Sequence, residues 1–322
     1  MLHWVLAALA ITLLTAAARS VAWSATFGAI RRASLPVLLA AAAVNALSLL
    51  LRGTRWWVFL RPAGAPSLGV ALRGAIVGSG LNNVLPANGG EAARVVLVAR
   101  SAGISSATVL AALALDRLME LLSAIGLLLA APLVAPLPAS LDRWREHAAI
   151  ALAVGLGVCL ILTRQAPSDA THRAEGSWHS RGRAYASRFF AGIRALPTAP
   201  RLASALGLSL LAWAGQLATY HLGARAVGLP VTLGASTAAM LAVNAAFLVQ
   251  ATPGNVGVFQ LMYALVMTAF GLPRDAAVAA ALLIQALQVV PITTLALVFA
   301  PELATRQLRP APAVAEVSGE AA

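Results

Sequence analysis

The chain has 322 residues, of which 60% are hydrophobic and 11% are charged, and its formal net charge is +12. Soluble domains carry about 25% charged residues, so this composition excludes an ordinary soluble protein. Apolar blocks of about 17–25 residues recur along the chain, which predicts an all-α polytopic integral membrane protein. The shorter alternating segments of a transmembrane barrel are absent from the sequence.

The basic residues, 23 in number, are all arginines, and most of them lie between the apolar blocks. This distribution favours membrane topology and anionic lipid headgroups over nucleic acid, so we expect no nucleic-acid partner. Richness in alanine and arginine without lysine suggests a GC-rich bacterial genome, and therefore the bacterial inner membrane. His172 and His179 lack the tight spacing of a metal site, so we expect no metal and no other cofactor.

About seven or eight transmembrane helices are expected, in a single domain over residues 1–300. The full spans cover residues 2–18, 35–51, 104–131, 148–162, 202–222, 232–250 and 276–299. The first lacks the positive start of a signal peptide, so we interpret it as a retained helix. The basic stretch 163–200 is predicted to be a cytoplasmic loop with an interfacial helix at 185–193. Residues 301–322 are predicted to be a disordered tail.

Two further segments are too broken to cross the membrane. Segment 68–85 is apolar but rich in glycine, and it ends at Asn82-Asn83 and then Pro86. This pattern is typical of a half-helix that enters the membrane and turns back, with 91–99 as the returning arm. The short apolar arm 258–270 follows a second Pro-Gly turn. We therefore expect two re-entrant segments, with the N-terminus inside and the C-terminus outside.

Arginine and tryptophan follow the second span, at Arg52, Arg55, Trp56, Trp57 and Arg61. Such a group at the end of a span is the usual interfacial anchor, and a headgroup site is the sharper alternative. Earlier in the same span, the polar side chains of Asn45 and Ser48 are expected to form hydrogen bonds between helices. The loop after Pro138, including residues 142–147, is interpreted as solvated surface.

Charged residues concentrate in the stretch 82–122. It contains the acids Glu91, Asp116 and Glu120 and the arginines Arg94, Arg100 and Arg117. A charge at membrane depth costs about 2.5–3.5 kcal/mol on insertion scales and usually has a function, although a helix end at the headgroup level is the plainer alternative. Asp116 and Glu120 share a helix face, so we expect either a retained proton or an arginine such as Arg94 between them. Glu91–Arg94 and Arg117–Glu120 are also spaced for pairing.

The pattern Pro-x-Asn-x-Gly occurs twice, at Pro86-Asn88-Gly90 and at Pro253-Asn255-Gly257. A short apolar arm, a glycine (Gly103 or Gly271) and a long helix follow each copy. Counted from that glycine, Asp116 and Arg117 correspond to Ile284 and Gln285. Broken segments at matching places in two halves indicate a transporter's binding site, so we predict internal repeats at 68–131 and 232–300.

These motifs resemble a known family. The segments NNVLPANGGEAAR and GISSATVLAALALDRLMELL are similar to the first signature of the flippase-like family named after the transmembrane domain of lysylphosphatidylglycerol synthase. PGNVGVFQ is similar to its second signature. The residues that match are Pro86, Gly90, Glu91, Arg94, Asp116 and Arg117, then Pro253, Gly254 and Gly257. Two positions depart from the pattern, because Asn255 stands where a second glycine is usual and Gln260 where a glutamate is often found.

The resemblance implies movement of lipid between leaflets, with a membrane phospholipid or another polar lipid as the partner. The candidate lipid-binding residues are Asn82, Asn83, Pro86, Asn88, Gly90, Glu91, Arg94, Asp116, Arg117, Glu120, Pro253, Gly254, Asn255, Gly257, Gln260 and Gln285. Arg94 or Arg117 would pair with a phosphate, and the carboxylates would hold the arginines or a cationic headgroup.

Two other functions compete with transport. A non-transporting accessory protein would bind enzymes of lipid or envelope biosynthesis. A membrane enzyme would use Asp116 and Glu120 as an acid–base pair, but no nucleophile motif, phosphate loop or metal spacing accompanies them. The chain ends at Ala322 without the soluble aminoacyltransferase domain of the lysine-transferring members. We therefore expect no aminoacyl-lipid synthesis and no enzymatic activity.

Overall fold

The computed structural model describes residues 22–64, 66–85, 89–130, 145–164, 178–247 and 252–306, and this part of the chain is helical without β-strands. Its helices are α1 (Trp23–Arg31), α2 (Leu35–Leu60), α3 (Leu68–Asn82), α4 (Gly89–Ala102), α5 (Ser106–Ala130), α6 (Arg145–Arg164), α7 (Trp178–Ala195), α8 (Ala199–Ala226), α9 (Leu233–Ala246), α10 (Val258–Ala269) and α11 (Arg274–Arg306). The all-α fold expected from the composition is therefore confirmed.

Three helices are long and apolar enough to cross a membrane within the described residues. They are Leu35–Ala63, Ala199–Ala226 and Arg274–Phe299, and shorter apolar helices cover Glu146–Leu162, Leu233–Ala246 and Val258–Ala269. The expected first span, residues 2–18, lies outside the described residues. Helix α5 is 25 residues long but includes the charged group at Asp116, Arg117 and Glu120.

The helices α2–α5 and α8–α11 have the same order of lengths. A long helix (α2 or α8) precedes two short helices, and a second long helix (α5 or α11) follows them. The short pairs are α3–α4, with 15 and 14 residues, and α9–α10, with 14 and 12. We call α2–α5 the first unit and α8–α11 the second unit, and their short pairs the first and second hairpins. The correspondence begins one helix earlier than the segments predicted from sequence.

The two hairpins also begin and end with the same local chemistry. The side chains of Ser67 and Thr232 each accept a hydrogen bond from the backbone N–H three residues on, which caps α3 and α9. Gly103 and Gly271 have φ angles of +65° and +75° and terminate α4 and α10. In both places the next amide donates to the carbonyl five residues back, as in a Schellman motif.

One predicted span is wrong. Residues 232–250 were expected to cross the membrane, but α9 ends at Ala246 after 14 residues and pairs with α10. At 1.5 Å per residue such a helix is about 21 Å long, which is less than the hydrocarbon thickness of about 30 Å. The segment is therefore the first arm of the second hairpin.

Several other boundaries differ from those expected. Helix α2 continues to Leu60, nine residues past the predicted end, because the first proline that can stop it is Pro62. Residues 145–147 belong to α6, and half of the supposed loop 163–200 forms α7, which packs against α5. The predicted disordered tail is wrong for residues 301–306, since α11 continues through them. Residues 307–322 lie outside the described part.

Two hydrophobic clusters form the interior. The first is built around Trp56, Phe59 and Leu115 of the first unit, and the second around Tyr220, Phe259 and Tyr263 of the second unit. Helices α2 and α8 pack against each other between these clusters, and α11 also packs against α3. The two units therefore contact each other through these two pairs of helices.

The first hairpin is closed by glycine contacts. A Cβ atom at Gly90 would collide with the carbonyl oxygen of Gly78 and lie 2.6 Å from the backbone nitrogen of Asn82. A Cβ atom at Gly78 would lie 2.7 Å from the Cβ of Arg94. Helices α3 and α4 can lie this close only because both positions lack a side chain.

We expect Gly90→Ala to destabilise the protein by about 1–3 kcal/mol, because the new methyl group forces the hairpin apart. The measurement is the unfolding free energy, or the apparent Tm, of the purified protein in detergent. Gly126→Ala is the matched control, since a Cβ atom there meets nothing within 4 Å. Equal stability of the two variants would contradict the proposed close packing of the hairpin.

Candidate functional site

A cavity of 390 Å³ lies between the two units. Its walls come from α2, α3, α4 and α5 of the first unit and from α8, α9 and α11 of the second. The charged side chains of the described residues that line it are Arg52, Arg55, Arg94, Asp116, Arg117 and Glu120. The uncharged polar residues at its wall are Asn45, Ser48, Ser79, Gln216, Asn244 and Gln288.

The rest of the wall is apolar and reaches the outer surface of the helices. Leu49, Leu72 and Ile76 line the cavity, as do Leu50 and Leu295. Leu50 and Leu295 are 48% and 43% exposed, although they are large hydrophobic residues. The lining of the cavity is therefore continuous with apolar side chains at the protein surface.

Helix α2 supplies a polar stripe at Asn45, Ser48, Arg52 and Arg55. These positions are separated by three, four and three residues, so they share one face of the helix. The Asn45 amide donates to the carbonyl of Leu287 at 3.1 Å, and the Ser48 hydroxyl donates to that of Ala212 at 2.7 Å. The prediction that Asn45 and Ser48 form hydrogen bonds between helices is confirmed.

Arg55 and Asp116 form the most deeply buried ion pair described. Their side chains are 1% and 4% exposed, and Nε of Arg55 donates to Oδ1 of Asp116 at 2.7 Å. A second nitrogen, Nη1, donates to the hydroxyl of Ser209 on α8 at 2.8 Å. Ser123 donates to the same Ser209 hydroxyl at 2.7 Å. The pair therefore joins α2, α5 and α8 at one point.

Two further arginines donate hydrogen bonds to the carboxylate of Glu120. Nη1 of Arg52 donates to one of its oxygens, and Nη1 of Arg117 donates to the other at 2.5 Å. Arg52 also donates to Oε1 of Gln216 at 2.5 Å, and the Gln216 amide donates to Asn244 at 3.4 Å. This polar chain continues from the first unit across the cavity to α8 and α9.

The structure corrects two predicted pairings and one predicted anchor. Glu91 pairs with Arg117 and not with Arg94, whereas the predicted Arg117–Glu120 pair is confirmed. Arg55, and not Arg94, lies close to both Asp116 and Glu120, with a contact of 3.8 Å to the latter. Arg55 therefore cannot be an interfacial anchor, and Trp56 is fully buried beside it.

Arg94 is held differently from the other arginines of the cavity. Its guanidinium carbon lies 3.6 Å from the centre of the Trp56 ring, as in a cation–π contact. The side chain is 7% exposed, and Nε has no hydrogen-bond partner in the part of the chain that the structure describes. Among the described residues, no carboxylate forms a salt bridge with it. Arg94 thus presents an unneutralised guanidinium at the cavity wall.

The second unit has an uncharged counterpart to the Glu91–Arg117 pair. Gln260 is the third residue of α10, as Glu91 is the third residue of α4. Its Nε2 donates to Oε1 of Gln285 at 2.5 Å, and Gln285 is the position predicted to correspond to Arg117. Gln285 in turn donates to the carbonyl of Gly254 at 2.8 Å. Each short arm is therefore tied to the long helix that follows it.

The second turn explains the presence of Asn255 in place of glycine. Residues Pro253–Asn255 form a 3₁₀ turn in which Gly254 and Asn255 have φ angles of +59° and +52°. Asparagine is one of the few residues with a side chain that adopts this conformation readily. Gly257, with φ of +87°, donates its N–H to Oε1 of Gln260 at 2.7 Å.

A family model described as the lysylphosphatidylglycerol synthase TM region matches residues 2–296. The chain belongs to this family. The resemblance inferred from the two signatures is therefore confirmed, and the protein is a multi-pass membrane protein linked to lipid biosynthesis or transport. No curated protein sequence matches it.

The signatures of this family contribute unequally to the cavity. Of the sixteen candidate residues, Arg94, Asp116, Arg117 and Glu120 line it, and Glu91 reaches it through Arg117. The others described form the hairpins and their links: Asn82, Asn83, Gly90, Pro253, Gly254, Asn255, Gly257, Gln260 and Gln285. Asn83, for example, donates to the hydroxyl of Thr293 on α11 at 2.9 Å. Pro86 and Asn88 lie outside the described residues.

The cavity includes residues that the sequence analysis did not assign to it. Arg52 and Arg55 on α2 are the most important, together with Gln216 and Asn244 of the second unit. The signal was the spacing of Asn45, Ser48, Arg52 and Arg55 on one helix face. The predicted span ended at residue 51, so Asn45 and Ser48 were placed in the span and Arg52 and Arg55 in a separate interfacial segment.

We expect Arg55→Met alone to cost about 3–5 kcal/mol of stability, because Asp116 would remain buried without its cation. The double variant Arg55→Met/Asp116→Leu should cost clearly less than the sum of the two single changes. Denaturant titration in detergent micelles of the wild type, both single variants and the double variant measures this coupling. Additive losses would show that the two side chains do not interact.

Proposed function

We propose that this protein transports a lipid with a charged headgroup between the leaflets of the bacterial inner membrane. The observation that carries the proposal is the lining of the cavity, which divides into charged groups and large apolar side chains that are exposed at the protein surface. A lipid has the same division, with a polar headgroup joined to apolar tails. The family relation supports a role in lipid chemistry or movement but does not distinguish between them.

The headgroup would enter the part of the cavity formed by α2, α4 and α5. Four guanidinium groups and three carboxylates meet there, including the bridge from Glu91 through Arg117 to Glu120. Charged hydrogen-bonding groups held in place by one another can replace the water that a headgroup loses on entering the membrane. This replacement lowers the main barrier to lipid transfer between leaflets.

The acyl tails would remain outside the charged region. Leu50 on α2 and Leu295 on α11 line the cavity and are exposed at the protein surface, where lipid tails would contact them. Tails that lie along these leucines stay in contact with hydrocarbon while the headgroup moves, so their transfer costs nothing in exposed apolar area. A closed pocket for the whole lipid is therefore unnecessary.

The hairpins would provide the movement. Helices α3, α4, α9 and α10 are each shorter than the hydrocarbon thickness, and broken elements of this kind surround the binding sites of many transporters. The arm α4 is tied to α5 by the exposed Glu91–Arg117 pair, in which Arg117 is 50% exposed. An exposed ion pair contributes little stability, so this link can open at small cost.

Catalysis by Asp116 and Glu120 is less well supported by the geometry. Each carboxylate accepts hydrogen bonds from arginine, and a carboxylate that is already paired with arginine is poorly placed to exchange a proton with substrate. An accessory protein without transport activity remains the main competing function, and the same transport experiment separates the two.

We expect the purified wild-type protein in proteoliposomes to accelerate the exchange of a headgroup-labelled fluorescent phospholipid between leaflets. Asp116→Asn should abolish this acceleration, because Arg55 loses its counter-charge at the cavity wall. Bleaching of the outer leaflet by dithionite measures the exchange. The variant must elute as a monodisperse protein and retain its helical circular dichroism.

Asp275→Asn provides the matched control. Asp275 lies on α11 away from the cavity, where its Oδ1 accepts a hydrogen bond from the backbone of Ala22 at 3.1 Å. This variant should exchange lipid at the wild-type rate. If the wild type shows no acceleration over protein-free vesicles, or if Asp116→Asn matches it, the proposed transport is wrong.

A further inference from the structure

The charges around the cavity are not balanced. Within the described part of the chain, four arginines belong to the cluster (Arg52, Arg55, Arg94 and Arg117) and three carboxylates do (Glu91, Asp116 and Glu120). Each of these carboxylates already forms at least one ion pair with an arginine. With all groups ionised, the cluster has one more positive charge than negative charges, and arginine stays ionised under all ordinary conditions.

The surplus charge is localised at Arg94. The other three arginines each donate to a carboxylate, whereas no carboxylate within the described residues pairs with Arg94. Trp56 covers one face of its guanidinium at 3.6 Å, which stabilises the cation but occupies none of its N–H donors. Nε is buried and has no partner among the described residues, so one hydrogen-bond donor of Arg94 is left unpaired by them at the cavity wall.

The surroundings of Arg94 fix its position. A Cβ atom at Gly78 would lie 2.7 Å from the Cβ of Arg94, and one at Gly74 would lie 3.5 Å from the Trp56 ring. Helix α3 thus packs closely against both the stem of Arg94 and the ring of Trp56. A guanidinium fixed in this way offers its N–H groups in one plane, the arrangement that suits two oxygens of a phosphate or carboxylate.

We propose that the cavity binds an anionic lipid and that the phosphate of its headgroup pairs with Arg94. The phosphate supplies the missing counter-charge and fills the donors that Trp56 leaves open. A headgroup with net positive charge finds no unpaired carboxylate among the described residues of the cavity and would be repelled by the surplus cation. The cavity therefore selects against cationic aminoacyl lipids. This inference rests on the proposed function in taking the ligand to be a lipid. The preference for an anionic headgroup does not depend on transport.

Free phosphate has the same anionic chemistry, and the apolar wall distinguishes it from a lipid. Leu50 and Leu295 extend the cavity toward hydrocarbon, where acyl chains gain contacts that a free phosphate cannot make. An anionic lipid should therefore bind more tightly than inorganic phosphate or glycerol phosphate, although all three would compete for Arg94.

The test is equilibrium binding to the purified full-length protein in a zwitterionic detergent. The probe is radiolabelled short-chain phosphatidylglycerol, and the competitors are its lysyl ester, glycerol phosphate and inorganic phosphate. We expect the lysyl ester to bind about tenfold or more weakly than phosphatidylglycerol, and the two water-soluble phosphates to bind more weakly still. Equal or tighter binding of the lysyl ester would overturn the inference.

Variants of Arg94 provide the second measurement. Arg94→Gln should weaken phosphatidylglycerol binding by about tenfold or more and remove the preference over the lysyl ester. Arg94→Lys retains the charge without the planar fork, so its affinity should be intermediate. Arg100→Gln, the same substitution at an exposed position of the same helix, should bind as the wild type does. Unchanged affinity in Arg94→Gln would also overturn the inference.

The result separates this inference from the proposed function. If phosphatidylglycerol binds through Arg94 but proteoliposomes show no lipid exchange, the anion site stands and transport fails. If the wild type exchanges phosphatidylglycerol and its lysyl ester equally and Arg94→Gln does the same, transport stands and the charge preference fails. The thermal stability of each variant shows whether a loss of binding reflects unfolding, and Arg94→Lys keeps the test decisive if Arg94→Gln is unstable.

Discussion

The buried pair between Arg55 and Asp116 is the constraint on which the rest of the structure depends. Removing two ions from water costs several kcal/mol each, and only close pairing with further hydrogen bonds offsets that cost. Here Ser209 supplies such a bond from α8, so the pair is satisfied only when α2, α5 and α8 lie together. These three helices must therefore meet at this point, and the cavity lies beside it.

The broken hairpins follow from the same requirement. Glu91 reaches Arg117 on α5, and Arg94 reaches Trp56 on α2, because α4 begins inside the hairpin, close against α3 at Gly78 and Gly90. The second hairpin repeats this arrangement with amides, through Gln260 and Gln285. One unit therefore concentrates charge while the other provides a neutral polar wall. This asymmetry gives the cavity a charged side without doubling the cost of burial.

Much of the fold could be predicted because its signals are local. Apolar composition indicates membrane helices. Glycine and proline mark the places where helices end, as at Gly103 and Gly271, because of the backbone conformations that these residues allow. The partners of the charged groups could not be predicted in this way. Arg55 and Asp116 are 61 residues apart, and which arginine reaches Asp116 depends on how α2 packs on α5. The true length of α2 was concealed for a related reason, since tryptophan and arginine at a buried helix end look the same in sequence as those at a membrane interface.

The polar stripe of α2 has a mechanical consequence. Arg52 donates a hydrogen bond to Gln216, and Ser48 donates one to the backbone of α8. Both residues also line the cavity. The same side chains therefore join the two units and also contact the space that a ligand would occupy. Under the proposed function, a lipid headgroup that draws Arg52 away from Gln216 would weaken this contact between the two units, so headgroup binding and a movement of one unit relative to the other would be coupled.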